Sequence, residues 1–323
     1  MEESRAMSLS PPALGGGATT LRPLHASDAD AIVEQCRDEL TQKWTSIAGD
    51  YSMEDAHRWI RHLVPAGWES GRECTFAVNH EGSFAGSVGL RSISDGTAEI
   101  SYGLHPEFRG HGISQAALRL LLDWGFAELD LHTIRWLALA GNWASRKVAW
   151  GLGFSFDGTL RGWLPLNGEH RDAWAGSLLR GDALHPRGEW FDVPTIEGDL
   201  VRLRRVRRED RERILSGAND PLNQEWIRKL QAPFTALETD SYLDDYEEGM
   251  ATGTAVHWAM ADPNTDDFLG TMSVLRIARP NGEIGYWAHP EARGRGGVTE
   301  ATPLAIGHAF TVLKLERLCL YAA

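Results

Sequence analysis

"PEFRGHGISQAALRLLL", running from Pro106 to Leu122, sets a basic residue and two glycines directly before an apolar helical pattern. Ile113, Ala117, Leu120, Leu121 and Trp124 recur at i, i+4, i+7, i+8 and i+11, the stripe of an amphipathic helix. Glycines at such a place let the backbone approach a ligand closely. The unpaired N–H groups of the first helical turn then face it with the positive end of the helix dipole. A phosphate or pyrophosphate is the expected guest. A second stretch, "PEARGRGGVTEATPLAI" from Pro290 to Ile306, repeats the arrangement 184 residues later.

Working outward, "LRPLHASDADAI" from Leu21 matches "LRRVRREDRERI" from Leu203, with Arg22 facing Arg204 and Asp28 facing Asp210. The offset is 182 as far as Trp44 and Trp226, and becomes 184 once "NHEGSFAG" is matched to "ADPNTDDFLG". The period is too long for a solenoid unit, so the chain reads as tandem copies of one domain. The expected organisation is a disordered tail over 1–20, a first domain over 21–182, a linker over 183–198 and a second domain over 199–323. Matching Arg317 to Arg135 sets the last residue, Ala323, opposite Gly141, so the second copy is expected to be incomplete at its C-terminal side. Within the first copy, turns at Gly82 and Asp95-Gly96 join strands. "IRWLALA" reads as a buried strand, and "WASRKVAWGL" as a helix turning Ala144, Val148 and Leu152 inward. The strands "GTLRGWL" and "DAWAGSLL" close the copy.

The 323 residues are 42% hydrophobic and 24% charged, and no apolar run approaches the ~20 residues that span a bilayer. The acidic N-terminal stretch has no apolar signal core, so a cytoplasmic protein without membrane partners is expected. Cys36, Cys74 and Cys319 match no metal spacing, so no metal is expected. The net charge of −13 is spread evenly over the halves, which argues against nucleic acid as a partner. "RLRRVRREDRER" at 202–213 mixes signs and reads as a solvated surface. Two phosphate motifs are excluded: GxxxxGK[ST] is absent, and "GHGISQ" lacks the third glycine of a dinucleotide fingerprint.

Arg109-x-x-Gly112-x-Ser114 resembles the acetyl-CoA pyrophosphate loop, [QR]xxGx[GA], of the GNAT superfamily of N-acetyltransferases, with Ser114 in place of Gly or Ala. "NWASRKVAWGLGF" resembles that superfamily's next motif, an Asn followed by a helix ending in Gly-Phe. Many members carry a tyrosine seven residues after the Asn, where this chain has Ala149. Ser145, three residues after Asn142, is similar to the RimJ/RimL-like branch that acetylates ribosomal-protein N-termini, and the closing hairpin is similar too.

The resemblance implies an α/β (α+β) GNAT fold in two tandem copies: a mixed, mostly antiparallel sheet flanked by helices. It implies acetyl-CoA as cosubstrate, held by Arg109, Gly110, His111, Gly112, Ile113 and Ser114, with Leu104 and Asn142 toward pantetheine. It implies Ser145 as the acid that reprotonates the coenzyme thiolate. Glu99, on the strand before the loop, is the candidate base for the amine. The expected reaction is direct acyl transfer in a ternary complex to a primary amine, either a protein N-terminus or a small molecule. A homodimer stays open, as does a competing reading, a non-catalytic acyl-CoA sensor or dimerisation module. The second copy departs at Val298, where a tiny residue is expected.

Overall fold

The computed structural model describes residues 11–15, 17–227 and 233–321 and divides into two units, Met1–Arg187 and Gly188–Ala323. Unit 1 opens with β1 (Thr19–Arg22), α1 (Ala29–Arg37), α2 (Glu39–Trp44), α3 (Met53–Arg58) and α4 (Val64–Ser70). β2 (Cys74–His80), β3 (Ser83–Ser94) and β4 (Thr97–Leu104) follow as a meander. α5 (Ile113–Glu128), β5 (Thr133–Leu139), α6 (Trp143–Gly151), β6 (Ser155–Leu166) and β7 (Glu169–Leu179) complete it.

The sheet order is β1-β2-β3-β4-β5-β7-β6, antiparallel except at β4–β5. Asp95 and Gly96 both have positive φ (49° and 69°), the backbone twist that suits a two-residue hairpin and the reason Asp-Gly marks one. β4 and β5 pair over only three rungs, Thr97–Glu99 against Thr133–Arg135. β5 keeps its pairing with β7 along its whole length, so β4 alone departs and a gap opens beyond Glu99.

Alternation along β4 sends Ala98, Ile100 and Leu104 into the core shared with α5, where Ile113, Ala117, Leu118, Leu121 and Leu122 are buried. Each such Leu or Ile contributes roughly 1.5–3 kcal/mol on burial. That packing fixes the start of α5 against the end of β4, and so fixes the glycine loop between them.

Three expectations need correction. Leu14 forms a bridge to Leu21 through two main-chain hydrogen bonds of 2.9 Å and packs on the core, so order begins before residue 20; residues 1–10 lie outside the described residues. The 183–198 stretch is not a free linker. Leu184 packs on the first core, while Phe191 is buried in the second and Ile196–Glu197 forms a strand. On α6, Ala144 is exposed, whereas Val148 packs on the first core and Leu152 is buried in it as expected, with Arg146 and Ala149 buried on the same helix.

Unit 2 repeats the plan: β8 (Ile196–Glu197), β9 (Arg202–Arg205), α7 (Arg211–Ala218), α8 (Pro221–Trp226), α9 (Ala236–Ala251), β10 (Val256–Ala261), β11 (Phe268–Ala278), β12 (Asn281–Ala288), α10 (Gly297–Thr311) and β13 (Arg317–Cys319). Its sheet runs β13-β12-β11-β10-β9-β8, with β12–β13 parallel like β4–β5. The arginines of 202–213 are committed to carboxylates. Arg204 is 3% exposed and pairs with Asp210 and Asp266, which differs from the solvated surface expected. Arg205, Arg208 and Arg211 pair with Glu247, Asp244 and Asp240.

Candidate active site

Between β4 and α5 the chain runs through Gly110 (φ +82°) and Gly112 (φ +75°), left-handed conformations that favour glycine. Nothing lies within 4 Å of a Cβ built on either, so the loop is open to a ligand. The first main-chain bond of α5 is Ala116 N–H to Gly112 O at 3.1 Å. Among the described residues, no acceptor takes the amides of Gly110, His111, Gly112, Ile113, Ser114 or Gln115. Six free donors at the start of a 16-residue helix suit a diphosphate. The loop therefore fits the coenzyme expected there.

Arg109 is bonded within the protein. Its Nη1 donates to Asp38 Oδ2 at 2.7 Å, its Nη2 to Thr41 Oγ1 at 2.9 Å and its Nε to the Leu104 carbonyl at 3.1 Å. The guanidinium braces the loop against the N-terminus of α2, where Asp38 also accepts from Thr41 N–H. Burial alone would raise the Asp38 carboxyl, but the Arg109 and Thr41 bonds outweigh it and hold it below the usual aspartate range.

Leu104 is placed differently from the expectation on one side. His105 N–H donates to Ala85 O on β3, so alternation turns both main-chain groups of Leu104 toward the gap. Its carbonyl is taken by Arg109, leaving the N–H as the group that faces the opening.

On the other side of the gap, Asn142 Oδ1 caps α6 by accepting from Ser145 N–H at 3.1 Å. Ser145 Oγ lies 2.7 Å from the Tyr102 hydroxyl and accepts from Trp136 Nε1 at 3.0 Å. Tyr102 belongs to β4 and Trp136 to β5, so Ser145 is held by both strands where they part. The Tyr102 hydroxyl can also donate to the Ser145 carbonyl at 3.1 Å. An indole N–H only donates. Hence, when Tyr102 donates to Oγ, the Ser145 proton is left for the gap. Burial pushes the Tyr102 hydroxyl up to about 12, its bonds to Ser145 and Trp136 lowering it only in part, so it stays protonated at neutral pH.

Glu99 stands at the last β4–β5 rung, opposite Arg135, and its Oε1 accepts from Arg91 Nε at 2.9 Å. Alternation puts it on the other face of β4 from Tyr102, together with Gly103. A Cβ on Gly103 would sit 2.9 Å from Gln35 Nε2 of α1, so that face lies under α1. The structure thus brings Ser145 to the gap and keeps Glu99 on the α1 side of the sheet. His111 is exposed, and Ile113 is buried in the core. Burial pushes the Cys36 thiol up to about 11 and, with Glu73 nearby, Cys74 to about 12, so neither supplies a thiolate nucleophile.

Tyr102, Trp136 and Asp38 were not read as site residues from the sequence. Tyr102 had a usable signal, since "EISYG" recurs as "EIGYW" with Tyr286 in the same place.

The acetyltransferase (GNAT) domain model matches residues 19–155 and again 201–323. The Bacillus subtilis (strain 168) protein named "Putative ribosomal N-acetyltransferase YdaF" is 33% identical over 172 residues, covering 50% of this chain and 91% of that protein. Spermidine N(1)-acetyltransferase of Escherichia coli (strain K12) is 32% identical over 103 residues, covering 31% of this chain and 55% of that protein. Mycobacterium smegmatis RimJ in complex with CoA-disulfide is similar in structure, with a TM-score of 0.49 and 24% identity over 52% of this chain and 88% of that one. With both copies matched by one family model, the chain belongs to the GNAT acetyltransferase family and is an N-acetyltransferase with acetyl-CoA as cosubstrate.

Proposed function

We propose that unit 1 transfers the acetyl group directly to a primary amine, with the α-amine of a protein N-terminus as the preferred acceptor. The observation that carries this reading is the seat of Ser145 Oγ, between β4 and β5 and fixed by a group from each. The free amides of Gly110–Gln115 hold the diphosphate, and the Asn142 side chain borders the pantetheine arm. The Leu104 N–H bonds the thioester carbonyl oxygen as negative charge grows there. Glu99 removes the amine proton through water from the α1 side. The amine nitrogen forms its bond to the acetyl carbon, the carbon–sulfur bond breaks, and Ser145 gives its proton to the departing sulfur. Tyr102 and Trp136 meanwhile donate to Oγ and stabilise the charge left on it. The name of YdaF, a putative ribosomal N-acetyltransferase, supports a ribosomal acceptor, while the spermidine enzyme's name keeps a polyamine as the alternative.

Unit 2 is proposed to be catalytically silent. Trp287 stands where unit 1 has Gly103, and Gly217 where unit 1 has Gln35. A Cβ on Gly217 would lie 2.6 Å from the Trp287 ring, so that ring fills the space above β12. A Cβ built on Gly296 would lie 3.2 Å from Leu200 Cδ1, while one on the equivalent Gly112 meets nothing within 4 Å.

The test follows free thiol with acetyl-CoA and two acceptor sets, short peptides with free N-termini and polyamines. Peptide-dependent thiol release that Ser145→Ala suppresses supports the reading. Turnover on spermidine alone would reassign the acceptor, and undiminished turnover in Ser145→Ala would remove the proposed acid.

A further inference from the structure

A cavity of about 540 Å³ opens in unit 1 away from the glycine loop, between the start of α1, the β2–β3 turn and the His105–Phe108 turn. Its wall includes Ala31, Glu34, Phe84, His105 and Glu107. The other copy shows what these walls accept. The residue equivalent to Ala31 is Arg213, in a register fixed by the buried pair Ile32 and Ile214 one position on. Arg213 Nε donates to the Phe268 carbonyl at 3.2 Å and its Nη1 to Glu291 Oε2 at 2.7 Å. The equivalents of Phe268 and Glu291 are Phe84 and Glu107, and both line the unit 1 cavity. Unit 1 has kept the two acceptors and replaced the guanidinium by a methyl group. Among the described residues, no cation pairs with Glu107.

Two further exchanges change the same wall. Arg207 of unit 2, which pairs with Asp266, is His25 in unit 1, and Asp266 is Gly82, so that ion pair is absent as a whole. Ser216, which bonds His289 Nε2 at 3.1 Å, is replaced by Glu34, whose Oε2 lies 3.2 Å from His105 Nε2. The unit 1 cavity therefore lacks the Arg213 guanidinium and gains Glu34, while Gly82 and Ser83 stand where unit 2 has Asp266 and Asp267, and Arg22 and Asp28 at its base neutralise each other through paired bonds of 2.8 Å. His105 is only 7% exposed, and its Nδ1 has no partner among the described residues.

We infer that this cavity binds an organic cation that presents a guanidinium to Glu107 and the Phe84 carbonyl. A planar fork of N–H donors suits one carboxylate and one carbonyl at the geometry Arg213 adopts. The cavity volume leaves room for a polar body against Glu34 and His105. The occupant touches the turn that leads into Arg109, and is distinct from the amine that is acetylated.

Agmatine is the probe, titrated into the full chain without acetyl-CoA, so the result does not depend on the transfer reaction. An exposed ion pair is weak, so saturation is expected in the millimolar range, on the order of 1–10 mM. Glu107→Gln should weaken binding about fivefold or more, and Ala31→Arg should abolish it by seating its own guanidinium as Arg213 does. Both variants should melt no more than a few degrees from the parent. Agmatine that fails to saturate, or that binds both variants as well as the parent, overturns the site.

Discussion

Arg109 Nη1 donates to Asp38 Oδ2 at 2.7 Å, and the same pair recurs in the other copy as Arg293 and Asp220. Both arginines follow an HPE turn, and both aspartates cap a short helix. The basic residue of the motif thus bonds within the protein and braces the loop whose amides are proposed to meet the diphosphate. Arg109→Gln should raise KM for acetyl-CoA several-fold and change kcat less. Partly exposed as the pair is, stability should fall by only about 1 kcal/mol, read by denaturant unfolding.

The same pair predicts a pH effect of definite sign. Asp38 is held below the ordinary aspartate value of about 3.9 in the folded chain. Its contribution is present above that value and is lost as pH falls through the lower, folded-state value. Asp38→Asn should therefore destabilise near neutrality and shallow the decline in stability below about pH 4. Equal acid slopes for variant and parent would count against the coupling.

Ser145→Ala should lower kcat by roughly 10²-fold, in the range of a lost general acid, with KM for acetyl-CoA little changed. Tyr102→Phe keeps the ring and removes only the hydroxyl that meets Oγ, so it should cost about tenfold in kcat, near one hydrogen bond. The two losses should not add in the double variant, because Tyr102 acts through Ser145. Steady-state kinetics of all three variants give the cycle, and additive losses would separate the two residues.

Much of this site was legible before any coordinates. The glycine loop and the tandem repeat follow from local spacing, which a sequence records directly. The Tyr102–Ser145 contact spans 43 residues and depends on where β4 leaves β5, after only three rungs, rather than on any motif. The pairing of Arg109 was hidden for a related reason. The motif marks a cation near a phosphate, and only the position of Asp38, 71 residues earlier, shows that the charge is already paired. Leu14 and Phe191 each reach a core from within stretches whose Pro and Gly content signals turns.

Gly112 has φ +75° with open space around it, so adding a methyl there strains the backbone without a clash. Gly112→Ala should cost about 1 kcal/mol in the free protein. Relief of that strain by rotating the peptide turns amides away from the diphosphate, so KM for acetyl-CoA should rise about tenfold or more. Isothermal titration with coenzyme A checks this, and unchanged affinity would move the diphosphate elsewhere.

Two matched family regions in one chain invite the expectation of two active sites, and the second copy's interior argues for one. Trp287 and Gly217 interlock where unit 1 sets Gly103 beneath Gln35, so the wide and narrow residues have changed places across the same helix–strand contact. The Trp287 indole also donates to the Tyr242 hydroxyl at 3.2 Å, and its ring is 5% exposed. Equilibrium dialysis should therefore find one tight coenzyme site per chain, and Ser145→Ala should leave no second, slower turnover belonging to unit 2. Trp287→Gly should destabilise the chain by at least about 3–5 kcal/mol, the usual cost of emptying a buried aromatic site, without creating activity. Turnover that persists in Ser145→Ala and disappears on altering unit 2 would assign catalysis to the second copy instead.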